Sequence, residues 1–293
     1  KHPSDLLEKG HIDYIVKEAI RLGADPITAV KVACHNAARY FLLNNRGAIA
    51  PGYLADFVVI DDFERFNILQ VFKKGVEMYD GREVKGFEVP EIDPYLFQRA
   101  HDTFHVARLT AQDFEERRPR GIIGMVPGEL VTTDQGYSDH IDAEWDILKI
   151  AVIERHKNTH HIGVGYLQGY GLKRGAVATS VSHDSHNIIV VGANEEDMAA
   201  AANRITENRG GIVVMENGEI KGEVVLSIAG LMSDGSLESV NRALESAKAA
   251  AFALGVSRDI DPFMTLSFMS LPVIPTLRLT TRGVIDVMNQ QYV

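Results

Sequence analysis

"GAVATSVSHDSHNIIVVGANEEDMAAAANRI", residues 175–205, carries two apolar runs, a polar cluster between them and a capped helix behind them. "GAVATSVS" and "NIIVVG" have the length and β-branched content of buried strands. Asn194 then supplies a side-chain acceptor at a helix start. Glu195, Glu196 and Asp197 put negative charge in the first turn, where the peptide dipoles are positive. Met198, Ala201, Ala202 and Ile205 recur on one helical face. Strand, loop, strand and helix together make an α/β texture. Between the strands stand His183, Asp184, Ser185 and His186, followed by Asn187. Neighbouring side chains diverge, so four consecutive residues cannot fold into a serine–histidine–aspartate triad. Three readings stay open: a loop that closes over a substrate, a self-satisfied polar turn, and a metal contact. Loops between strands are where functional groups are commonly displayed.

The same texture runs from Gly121 to the end. "GIIGMV", "DILKIAVIER", "GIVVMENG" and "EVVLSIAG" are further strand candidates. Ser236 caps a second helix with Leu237, Val240, Leu244, Ala247, Ala251 and Leu254 inward, and Gly255 ends it. Gly163, Gly165, Gly169, Gly171 and Gly175 miss the G-x-G-x-x-G spacing of a dinucleotide loop, and serve turns or close backbone approach instead. "MTLSFMSLPVIP" reads as core or subunit interface, and Pro272 and Pro275 argue against a long helix there.

Upstream, Ile12, Ile15, Val16, Ala19 and Ile20 mark one helical face. Asp25-Pro26 opens another helix whose expected buried stripe is Ile27, Val30, Cys34, Ala37, Ala38 and Phe41, with His35 and Asn36 left at the surface. Phe57–Ile60 is a short strand after a Pro-Gly turn, and "VFKKGVEMYDGREV" reads as two strands about Lys74-Gly75. So few strands need partners from elsewhere. Residues 91–120, with the charge run "DFEERRPR", read as a connector whose charges form a solvated face.

The bulk numbers narrow the function classes. A chain of 293 residues with 45% apolar and 24% charged content is globular and long enough for one large domain or two ordinary ones. A net charge of −10 and no basic tract interleaved with aromatics exclude a nucleic-acid polymer as the expected partner. No apolar run reaches the roughly 20 residues that span a membrane. Cys34 is the sole cysteine, which leaves no intrachain disulfide and is compatible with a reducing cytoplasm. H-E-x-x-H, a Walker loop, G-x-S-x-G and the zinc-deaminase pair H-x-E with P-C-x-x-C are all absent.

"RGAIAPGYLADFVVID", preceded by helices ending "HNAARYF", resembles the tail of an amidohydrolase-superfamily enzyme. There the chain leaves a metal-bearing (β/α)8 barrel and completes a small β-sandwich. "DILKIAVIERH", "GYGLKRGAVATSVSHDSHNIIVVG", "IAGLMSD" and "DPFMTLSFMSLPVIPTLRLTTRGVIDV" are more specific, and resemble the C-terminal domain of adenine deaminases over essentially the whole chain. The fold this implies is α/β: terminal barrel helices over 1–47, β-sandwich strands over 48–90, the connector over 91–120, and a C-terminal α/β domain over 121–293. The activity implied is hydrolysis of adenine to hypoxanthine and ammonia by a metal-activated hydroxide, in purine salvage, in a cytoplasmic homo-oligomer. The runners-up are another amidohydrolase acting on a cyclic amide or amidine, and a non-catalytic small-ligand-binding module. The resemblance implies divalent ions (manganese, iron or zinc) whose ligands precede Lys1, since no H-x-H occurs here. No metal ligand is expected within this chain, and residue 1, without an initiator methionine, is expected to be a cut edge. Stripes on the first helices should then find no cover within the chain. The expected site-closing loop is His183, Asp184, Ser185 and His186, facing the barrel mouth on the side of Lys1 and His2. His2 and Asn187 are the candidate substrate contacts, and adjacent His160 and His161 a weaker metal pair.

Overall fold

The computed structural model describes residues 2–86, 88 and 90–293. It divides into two compact units, Lys1–Glu91 and Ile92–Val293. In the first, α1 (Pro3–Lys9) begins with proline and a capping box between His2 and Asp5. α2 (Ile12–Arg21) follows, then α3 (Pro26–Lys31), whose cap Asp25 accepts the Thr28 amide at 2.8 Å. A wide π-turn over Val32–Asn36 leads into α4 (Ala37–Tyr40).

The stripe expected on this second helical run is largely uncovered within the chain. Ala38 is buried, but Cys34 and Ala37 are exposed, as are Ile27 (63%) and Phe41 (70%), while His35 is half-buried. The π-turn fits an extra residue into its turn and shifts the helical register of the residues after it. On α2, Val16 is buried while Ile12 and Ile15 remain about half exposed. β1 (Phe57–Ile60), β2 (Ile68–Lys73) and β3 (Val76–Tyr79) form an antiparallel sheet in that order. Phe57 lies opposite Phe72, with ring centroids 4.6 Å apart.

The second unit starts with α5 (Pro94–His101), capped by Asp93. A 3-10 turn, Ala111–Phe114, fully buries Phe114. The stretch read as a connector therefore holds a helix and a core side chain. The main sheet comprises β4 (Arg120–Met125), β5 (Thr132–Ser138), β6 (Leu148–Ile153), β7 (Ile162–Gln168), β8 (Ala176–Thr179), β9 (Ile188–Gly192), β10 (Gly211–Glu216) and β11 (Glu219–Val225). Its order is β11-β10-β8-β9-β6-β7-β4-β5, parallel between β4 and β7 and antiparallel elsewhere.

Both faces of this sheet are covered, which explains the unbroken apolar runs of its central strands. On one side α6 (Glu195–Glu207) packs Met198, Ala201, Ala202 and Ile205 against Val190, Val213 and Phe114. On the other, α7 (Leu237–Ala253) packs Leu244, Ala247 and Ala251 with Val177, Val214 and Val224. α8 (Met264–Phe268) shares that second cluster through Leu266, as does a small sheet of β12 (Leu277–Thr280), β13 (Gly283–Asp286) and β14 (Gln291–Tyr292). The small sheet lies so close to β7 that a Cβ at Gly163 would stand 1.9 Å from the Thr280 carbonyl oxygen. A Cβ at Gly165 would stand 2.4 Å from Val284. These glycines serve close backbone approach, as their spacing suggests.

Candidate functional site

The cluster at 183–186 lies in the loop that joins two neighbouring strands, β8 and β9, paired through Thr179 and Ile189. The base of the loop is pinned to the sheet. Ser180 Oγ donates to the Gly230 carbonyl at 2.6 Å and accepts the Gly211 amide at 2.8 Å. Higher up, the loop's main chain is tied to four separate groups. The His183 amide donates to Ser267 O at 2.9 Å, and the His183 carbonyl accepts Ser270 Oγ at 3.1 Å. The Ser185 carbonyl accepts His156 Nε2 at 2.8 Å, and the His186 carbonyl accepts Arg155 Nε. Within the loop the His186 amide closes onto Ser182 O at 2.6 Å, with His186 itself at φ +49°. A non-glycine residue adopts that left-handed backbone at a cost, which the surrounding contacts offset.

Because the neighbours satisfy the backbone, the side chains are left for display. The Asp184 side chain is 85% exposed, and the nearest imidazole nitrogen, His183 Nδ1, stands 3.9 Å from it. The His183 ring rests on Phe268 (centroids 4.7 Å apart) and meets His186 edge-on at 5.7 Å. Burial, with the nearby charges of His183 and Arg155, holds the His186 imidazole below its ordinary pKa. Its Nδ1 accepts the Ser182 amide at 3.4 Å, so the neutral ring carries its proton on Nε2. Loop and surroundings thus present an imidazole donor, a carboxylate and a hydroxyl.

Beside the loop opens a cleft of about 350 Å³ lined by Asp184, Ser185 and Asn187, by Leu271, Pro272 and Val273, and by Val152, Thr280 and Thr281. Apolar walls with a few polar groups, at the small end of ligand-pocket volumes, suit a small flat molecule. Asn187 is 8% exposed, and its amide is engaged within the domain. Its Oδ1 accepts the Arg155 amide at 3.4 Å, and its Nδ2 donates to Ser185 Oγ at 3.2 Å.

The other candidates belong to other segments. His2 belongs to the first unit, where its amide donates to Asp5 Oδ2 at 3.0 Å. The expected meeting with Lys1 falls outside the described residues. His160 pairs with Asp113 at 3.0 Å, and His161 is exposed. The described residues include no group of three or more His, Cys, Asp or Glu side chains placed to hold a metal ion. The residues present therefore do not fit the divalent ions that the resemblance implies. Nor is any helix among the described residues long and apolar enough to cross a membrane.

Sequence reading missed Arg155, His156, Ser267 and Ser270, which fix the loop from two other segments. Arg155 carried one signal: a buried charge two residues after the fully buried strand β6.

Comparison with known proteins gives the same division. The model of the adenine deaminase C-terminal domain matches residues 128–291, and that of the amidohydrolase family matches residues 5–78. Adenine deaminase of Petrotoga mobilis is 40% identical over 306 residues, covering 100% of this chain and 52% of its own length. Adenine deaminase of Desulfatibacillum aliphaticivorans is 42% identical over 297 residues, covering 98% and 51%. Adenine deaminase 2 of Carboxydothermus hydrogenoformans is 40% identical over 299 residues, again covering 98% and 51%. The chain spans about half the length of the curated relatives it matches.

Proposed function

Because this chain belongs to the adenine deaminase C-terminal domain family, we propose that it forms part of an enzyme converting adenine and water to hypoxanthine and ammonia. The 183–186 loop closes over the purine in that enzyme. Ligands for the divalent metal would lie outside this chain, where the amidohydrolase resemblance puts them. The chemistry ascribed to this chain is accordingly that of its own side chains. Adenine is neutral and flat, so discrimination must come from hydrogen bonds to its ring nitrogens and amino group, with stacking on its faces. A cover carrying His183, Asp184, Ser185 and the Nε2–H of His186 offers donors and acceptors together. It also excludes bulk water, which strengthens each polar contact with the developing charge.

The observation that supports this reading is the contrast between a main chain held at His183, Ser185 and His186 and an Asp184 carboxylate 85% exposed between them. A self-satisfied polar turn would spend its side chains on its own backbone. Here groups outside the loop hold the carbonyls of His183, Ser185 and His186. The His186 ring and Ser185 hydroxyl hold the main chain from within, and the Asp184 carboxylate is left outward. A soluble cytoplasmic homo-oligomer taking adenine as its small-molecule partner completes the proposal.

The test is ammonia release from adenine by the full-length protein, with and without exhaustive chelation, and by residues 1–293 alone. The expected result is chelator-sensitive release by the full-length protein and none by the segment. Activity that survives complete metal removal would exclude the amidohydrolase route, and no release from adenine would favour another substrate or a binding module.

A further inference from the structure

Arg155 is an unexpected side chain in the core of the second unit. It is 2% exposed, and no ion pair joins it to a carboxylate among the described residues. Burial pushes its pKa down to about 10, so it remains a cation at neutral pH. Its fork reaches three segments distant in sequence. Nε donates to His186 O, Nη1 to Thr103 O at 2.9 Å, and Nη2 to Ala229 O at 3.0 Å. The Phe104 ring lies beneath, with its centroid 4.2 Å from Cζ. Its own main chain joins the network, donating to Asn187 Oδ1 and accepting the His105 amide at 2.8 Å. Gly230 leaves room for the fork, because a Cβ there would stand 3.1 Å from Nη2 and 2.8 Å from Phe104.

A buried cation without a counter-charge is a poor stabiliser, since apolar side chains of similar volume often serve a core as well or better. What a guanidinium offers is a rigid planar fork of five donors, which neither an ammonium nor an apolar side chain supplies. Here the fork holds the carbonyl of the very residue whose backbone is left-handed, His186. That carbonyl belongs to the residue whose Nδ1 ties back to Ser182 and whose ring meets His183.

We infer that Arg155 is the positioning residue of the 183–186 loop: it clamps the His186 carbonyl to Thr103 and Ala229 and so sets the direction of both imidazoles. The role rests on the loop reading above, because it affects catalysis only if that loop reaches the purine. Arg155 itself touches no substrate.

The test uses Arg155→Lys and Arg155→Met in the full-length protein, with two measurements on each. Hydrogen exchange at amides 183–187 should rise roughly ten- to a hundredfold, the range for losing one hydrogen bond to a charged group. Protection in β6, β9 and β10 should stay at the parental level. Turnover of adenine should fall in the order parent, Lys, Met at nearly constant KM, since lysine keeps the charge and one of the contacts. Unchanged exchange at 183–187 in both variants overturns the inference. So does protection lost throughout β6, β9 and β10, which would make Arg155 a general core residue. Faster loop exchange with parental kcat keeps the clamp and overturns the reading that the loop closes the site.

Discussion

Replacing His183 by alanine in the full-length protein separates a functional loop from a structural turn, because the two readings assign different magnitudes to one ring. Its packing is modest. The side chain is 30% exposed and makes two ring contacts, with Phe268 at 4.7 Å and His186 at 5.7 Å. Such ring pairs contribute about 0.5–1.5 kcal/mol beyond their area. For two such pairs Tm should therefore fall by about 2–12 °C for a domain of this size. If the imidazole also donates to the purine as charge develops, its loss costs about 2.7–4 kcal/mol of transition-state stabilisation. That is a hundred- to a thousandfold in kcat. The assay is ammonia release at saturating adenine, normalised to folded protein by near-UV circular dichroism and accompanied by metal analysis. The expected result is a large loss of kcat, unchanged metal content and a loss of Tm within that range, with His186→Ala behaving alike. A kcat within a few-fold of the parent beside the same Tm loss would refute the functional reading.

The His186 ring adds a pH dependence. Its folded pKa lies below the ordinary 6.5, so its contribution to loop stability is complete above that value and is lost as pH falls through the folded value. Exchange at 182–187, corrected for intrinsic rates, should rise relative to β6 as the pH falls below about 6.5, and a parallel change in both would contradict this. Gly163→Ala forces a Cβ against the Thr280 carbonyl at 1.9 Å and should cost about 1–3 kcal/mol or more in urea unfolding. Asn194→Ala removes the acceptor of the Asp197 amide (2.7 Å) and should cost about 0.5–2 kcal/mol in the same assay. Neither the β7 contact nor the helix cap matters as described if its variant unfolds at the parental midpoint.

The sequence revealed those elements in which side-chain periodicity and burial agree. β9 is apolar throughout and β6 is apolar but for Lys149 because both faces are covered, and α6 shows its cap, its acidic first turn and its inward stripe. β5, "TTDQGYS", is polar, largely exposed and bulged at the sheet edge, so no alternation marks it. α5 hid behind its proline, although Asp93 before Pro94 is itself a helix start. The second helical run shows its apolar residues largely uncovered, as expected, whereas nothing in "VACHN" announces its π-turn. At the site, the density of polar groups in 183–186 was legible, whereas the clamp was not. Sequence shows that a charge comes after an apolar strand, but the choice between solvent and three distant carbonyls is made by tertiary packing.

The most direct measurement is the structure of the full-length protein with adenine or a slowly reacting purine analogue bound. The loop reading requires side chains of His183, Asp184, Ser185 or His186 within hydrogen-bond reach of the purine, about 2.6–3.2 Å between heavy atoms or through one water. Finding the whole loop more than two side-chain lengths from the purine, in every subunit of the assembly, would contradict it.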